Sequence, residues 1–174
     1  MEGVSQDPGE ALVSLGASAQ SNPSDPEAWL ALGHALDTRG MARDALQAYR
    51  EGLAAIPGSP DLLYAEARAL DHAGDRDAAR ERYQSLVARY PRAARPLASL
   101  LGLMRADATR DLVDAAHALL RGTDLVDEDR AALGYALGKV HDARSEFDQA
   151  MASWQDANAA RRRAESRAAA CREG

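Results

Sequence analysis

Cysteine, aromatic rings and β-branched side chains are all scarce in this sequence. The lone thiol, Cys171, excludes an internal disulfide framework and leaves no cysteine cluster for zinc or iron–sulfur. Aromatics make up 5% of the 174 residues, and Val, Ile and Thr are few, so the usual strand formers are largely missing. No excess of positive charge exists: the formal net charge is −6, which argues against a nucleic-acid partner. Long apolar runs are also absent. The richest, PLASLLGLM from Pro96 to Met104, is far short of the roughly 20 residues that cross a bilayer. The acidic opening MEGVSQDPGEALVSL lacks the basic and apolar regions of a secretory leader, so a cytoplasmic protein with no membrane partner is expected. What remains is Ala, Leu and Arg, which lose little on entering a helix. The expected fold class is all-α.

A ruler runs through the chain. Pro23, Pro57 and Pro91 are spaced 34 residues apart. Starting a copy at Pro26 puts Trp29, Leu32, Gly33 and Leu36 on one helix, Gly40 in a turn, and Ala45, Tyr49 and Gly52 on a second helix. Adding 34 gives Leu63, Glu66, Ala67 and Leu70, then Gly74, then Ala79, Tyr83 and Leu86. Small residues at Gly33, Ala67, Ala45 and Ala79 suit close helix crossings. Gly40 and Gly74 can take the positive φ of a short reversal, and Pro57 and Pro91 separate one hairpin from the next.

A period of 34 with this internal pattern resembles the tetratricopeptide repeat family, most strongly over residues 26–93. The resemblance implies a single domain over 1–174, an α-solenoid of about nine helices in antiparallel pairs wound into a right-handed superhelix. Its parts are an N-terminal half repeat at 8–21, repeats at 26–59 and 60–93, a degenerate repeat at 94–130, a fourth repeat at 131–160 and a capping helix extension at 161–174. The degenerate copy lacks the small residue, the Gly turn and the closing Pro, and its join to the next is about three residues longer. In the last copy Leu137 and Gly138 stand for Leu32 and Gly33, and Ala150, Trp154 and Ala157 for Ala45, Tyr49 and Gly52. The Arg-rich end is read as a solvated outer cap.

No catalytic constellation emerges from the residues: there is no Gly-rich phosphate loop, no G-x-S-x-G elbow and no H-E-x-x-H helix. The expectation is a non-enzyme with no cofactor and no metal. His117 and His141 fall at inward places, and His34 and His72 at outward ones. The pairs Asp107/Asp111 and Asp127/Asp129 are read as helix-start acids that cap free N–H groups.

The resemblance also implies a concave groove lined by the first helix of each pair. The groove-facing places carry Glu27, Leu30, His34 and Asp37, then Asp61, Tyr64, Arg68 and Asp71, with His72 beside them. Arg95 and Arg105 follow from the third copy, and Tyr135 and Lys139 from the fourth. Such a surface suits an extended peptide or helix of mixed charge, with Tyr64 and Tyr135 as anchors, and makes the chain a protein–protein interaction scaffold. The places of the family's clamp for chaperone C-termini hold Leu30, His34, Ala65, Arg95 and Ser99, and Arg95 alone has suitable charge. The stretch Ala131–Arg163 also resembles the last repeat of bacterial proteins whose tetratricopeptide repeats precede a sulfotransferase domain. That likeness implies the alternative role of a regulatory or substrate-presenting module. Self-association is a third reading.

Overall fold

A computed structural model describes residues 8–173. Among the described residues there are nine α-helices, one short 3-10 segment and no strand. The helices are α1 (Pro8–Ser21), α2 (Pro26–Asp37), α3 (Ala42–Ala55), α4 (Pro60–His72) and α5 (Arg76–Arg89). They continue as α6 (Ala94–Met104), the 3-10 segment Arg105–Asp107, α7 (Arg110–Arg121), α8 (Asp127–Ala143) and α9 (Phe147–Glu173). The all-α fold class is thereby observed. The opening residues 1–7, on which part of the leader reading falls, lie outside the described residues, as does Gly174. None of the described helices is long and apolar enough to cross a membrane.

The ruler reappears as helix starts. α2, α4 and α6 begin at 26, 60 and 94, while α3, α5 and α7 begin at 42, 76 and 110. Local chemistry explains each boundary. Pro26 and Pro60 occupy first-turn positions, where a missing N–H costs nothing. Asp25 caps α2 by accepting from the Glu27 amide at 3.0 Å, and Ser59 caps α4 by accepting from Leu62 at 3.4 Å. Gly40 and Gly74 take φ of 75° and 88° and reverse the chain between paired helices. The third copy has no such glycine. Arg105 ends α6 there with φ 50°, and the 3-10 segment carries the chain to Thr109, which caps α7.

The join before the fourth copy is longer, and the structure shows where the extra residues go. α8 starts at Asp127, four residues ahead of the repeat boundary at 131, so the insertion becomes an additional first turn. α8 has no side-chain cap. The helix-start acids there do not cap, as the sequence suggested they would; each carboxylate is bound to a distant arginine instead.

The contacts divide the chain into two compact units, one through Arg82 and one from Tyr83, with the boundary inside α5. The first is built around Ala19, Trp29, Ala45, Tyr49, Leu62, Ala65 and Ala69. Trp29 packs with its indole N–H donating to the Pro23 carbonyl at 3.0 Å, so burial leaves no orphan donor. The Cβ that Gly33 lacks would overlap the Tyr49 ring. Glu66 is buried too, compensated by Arg50 at 3.3 Å and Arg82 at 3.4 Å.

The second unit centres on Leu97, Leu101, Ala116, Leu133, Leu137 and Val140. Gly138 and Trp154 repeat the Gly33–Tyr49 contact: a Cβ at 138 would overlap the indole. The C-terminal arginines are not simply a solvated cap. Arg163 and Arg167 reach the carboxylate of Asp127 at 2.9 and 2.6 Å and fasten α9 to the start of α8. Ala160 and Ala164, on the same stretch of α9, are buried.

Candidate functional site

In the first unit, α2 and α4 carry the residues expected on the groove. Their inner faces are taken by the core, with Ala28, Trp29 and Gly33 buried on α2, and Leu62, Ala65 and Ala69 on α4. Glu27, His34 and Asp61 stand exposed, while Leu30, Asp37, Tyr64, Arg68 and Asp71 are half-buried. These two helices converge at their far ends. His72 Nδ1 lies 3.0 and 3.1 Å from the two carboxylate oxygens of Asp37, and Arg68 lies 4.0 Å from one of them. Residue 37 of one first helix therefore meets residues 68 and 72, one turn apart on the next. The Asp37 carboxylate is thus met by the Arg68 guanidinium and the His72 ring within the same unit.

His34 lies edge-on to Tyr49, with ring centroids 6.1 Å apart and planes at 72°. Burial pushes the Tyr49 phenol up to about 12, with the Asp37 charge adding to the shift and Arg68 opposing it. This phenol is neutral throughout the physiological range.

In the second unit, Arg95 on α6 is exposed, and its Nε donates to Asp129 on α8 at 2.9 Å. Arg105 is exposed at the end of α6, and Lys139 is exposed on α8. Tyr135 is half-buried and turns toward α9, where its hydroxyl donates to Asn158 Oδ1 at 2.6 Å. Arg161, paired with Glu165 at 3.0 Å, flanks the same ring. The structure thus brings together Asp37 with Arg68 and His72. It sets Arg95 against Asp129, and Tyr135 against α9.

The second unit also has a feature that sequence reasoning missed: a cleft of about 660 Å³ between α7, α8 and α9. Its floor includes Gly134, Leu137 and Ala157, and its rim includes His117, Arg121 and His141. The signal was present, since Gly134 falls at the place of Trp29 and removes the bulk that fills the first hairpin. His117 is half-buried and His141 buried, as inward places require, with ring centroids 6.0 Å apart. His141 Nδ1 lies 2.6 Å from Glu146. Burial chiefly, then the neighbouring His141 and Arg121, hold the His117 pKa below the ordinary imidazole value, with Asp114 acting in the opposite direction. Among the described residues, no group of three or more His, Cys, Asp or Glu stands where it could hold a metal ion.

The model of the tetratricopeptide repeat family matches residues 38–104. Among solved structures, the chain is similar to residues 41-end of MamA from Desulfovibrio magneticus RS-1. The identity is 20% and the TM-score 0.63, with 90% of this chain and 87% of that one covered. It is similar to the nearly identical TPR-like repeats of a kinesin light chain from Podospora anserina, at 16% identity and TM-score 0.62, covering 90% and 89%. It is also similar to YrrB, described as a TPR protein with an unusual peptide-binding site, at 15% identity and TM-score 0.57, covering 91% and 84%. No curated protein matches the chain. The sulfotransferase likeness of Ala131–Arg163 is not carried by these comparisons.

Proposed function

For this chain of tetratricopeptide repeats, we propose a role as a non-enzymatic interaction scaffold that grips a mixed-charge peptide or helix along its first-helix faces. The observation that carries this reading is the division of labour on α2 and α4. One face is spent on the core, while Glu27, His34 and Asp61 remain exposed and Asp37 meets Arg68 and His72 toward the ends of the two helices. Exposed polar groups on rigid helices suit recognition, because the fold does not require their chemistry. A peptide carboxylate would compete with Asp37 for Arg68, and a peptide cation would compete with Arg68 for Asp37. Each exchange trades one screened pair for another, which favours selectivity over raw affinity. Arg95 offers a similar exchange in the second unit, where Asp129 holds its guanidinium. YrrB provides a precedent for peptide binding on this fold.

The test is affinity capture with the wild-type chain and with Arg68→Glu combined with Arg95→Glu. Loss of recovered partners with unchanged far-ultraviolet circular dichroism supports the reading. An unchanged capture profile rejects the first-helix face as the binding surface.

A further inference from the structure

The cleft of the second unit is a different surface from the first-helix face. On α8 it is lined by Gly134, Leu137 and His141, whereas the groove residues on that helix are Tyr135 and Lys139. Its volume of about 660 Å³ falls within the roughly 300–1,000 Å³ of small-molecule sites. It combines an apolar floor with a charged rim, and the rim is positive. Arg121, Arg130 and Arg163 line it against one carboxylate, Asp156, which is exposed.

Two of the three guanidinium groups have structural duties. Arg130 donates to the Leu120 and Gly122 carbonyls and closes the end of α7. Arg163 donates to Asp127. Arg121 is exposed at the same mouth, one helical turn along α7 from His117. The groups facing His117 are Asp114 and Arg121 on its own helix, His141 and Arg130 on α8, and Asp156 and Arg163 on α9. Cations outnumber acids in that set.

We propose that this cleft binds an amphipathic organic anion, its apolar body over Gly134, Leu137 and Ala157 and its acidic head at Arg121 and His117. An anion there satisfies Arg121 and favours the charged form of His117, so binding and proton uptake are coupled. A cationic ligand of the same shape meets Arg121 and is repelled. A neutral one gains the floor and leaves Arg121 to solvent.

The experiment uses octanoate as the probe, with octylammonium and octanol as matched controls, followed by amide and imidazole chemical shifts in the intact chain. Octanoate is expected to shift the amides of Gly134, Leu137 and Ser153 saturably and to raise the titration midpoint of His117. Arg121→Glu is expected to weaken octanoate at least tenfold. This residue is exposed, so the fold survives the change, and unchanged amide shifts in α6 of the same unit verify that. Ala152→Phe, also at an exposed position lining the cleft, is expected to block binding by occupying the space. Octylammonium or octanol binding at the same amides as tightly as octanoate overturns the proposal. So does an octanoate affinity that Arg121→Glu leaves unchanged.

Discussion

In α2–α3, Trp29 lies against Gly52; in α8–α9, the same two places hold Gly134 and Ala157. A Cβ on Gly52 would come within 2.8 Å of Trp29, and one on Gly134 within 2.9 Å of the Ala157 Cβ. Both crossings are tight, but the first is filled by a ring and the last by backbones drawn together. The neighbouring contact is alike in both hairpins: Gly33 meets Tyr49, and Gly138 meets Trp154. The contrast teaches that one repeat position can be close-packed at two different combined sizes, because the helices approach more closely where both partners are small. The cleft beside α7 runs along the stretch of α8 that includes Gly134.

The sharpest way to break the comparison is to remove the rings. Tyr49 is 2% exposed, so Tyr49→Ala is expected to cost about 3–5 kcal/mol in the first unit. Trp154 is only half-buried, and Trp154→Ala is expected to cost less. Local unfolding free energies from amide exchange check both, and equal losses would contradict the assigned packing. Next come the glycines. Gly33→Ala and Gly138→Ala are each expected to cost about 1–3 kcal/mol through overlap with the facing ring. Tyr49→Leu should relieve the first and leave the second untouched, which a double-mutant cycle reads directly.

The two rings also differ in titration. A phenol whose pKa is raised on folding contributes stability that is full below its unfolded value of about 10. That contribution fades as pH rises through the folded value of about 12. Alkaline loss of stability between pH 10 and 12 is therefore expected in the first unit, and Tyr49→Phe should remove the phenol's share. Trp154 has no such proton, so its hairpin lacks this source of alkaline sensitivity.

Smaller effects separate the two carboxylate clusters. The guanidinium groups of Arg163 and Arg167 hold the Asp127 pKa below the usual carboxylate range, chiefly through the Arg163 hydrogen bonds. Its contribution is present above the unfolded pKa of about 3.9 and is lost as pH falls through the depressed folded value. Asp127→Asn is expected to speed amide exchange over the end of α9 at neutral pH, and acidification should do the same to the wild type. Asp37→Asn breaks looser pairs, with Arg68 4.0 Å away and the Asp37 side chain 17% exposed against 9% for Asp127. It is expected to change stability by less than about 1 kcal/mol, as a thermal melt would show.

Much of this was legible from spacing. Pro26, Pro60, Gly40 and Gly74 act within a few residues of themselves, so their meaning does not depend on the rest of the fold. The recurrence of Gly33 at Gly138 and of Tyr49 at Trp154 follows from the same period, and the structure adds that each glycine faces the ring of its own hairpin. Asp127 was misread because its arginines lie 36 and 40 residues away on α9, and no local pattern announces them. Tyr135 was expected as an open anchor, and its hydroxyl binds Asn158, 23 residues on. The cleft escaped notice because Gly134 shows only that a ring is missing, and a missing ring can equally be closed by the approach of the facing helix.

Helix positions, turn chemistry and the size pattern of the hairpins were determined by the order of residues alone, because each depends on neighbours within one turn or on a fixed 34-residue period. The angle at which α9 lies across α8 was decided only in three dimensions. From that follow the partners of Asp127 and Tyr135 and the opening beside His117, since many weak contacts act there at once and no single stretch of chain encodes their sum.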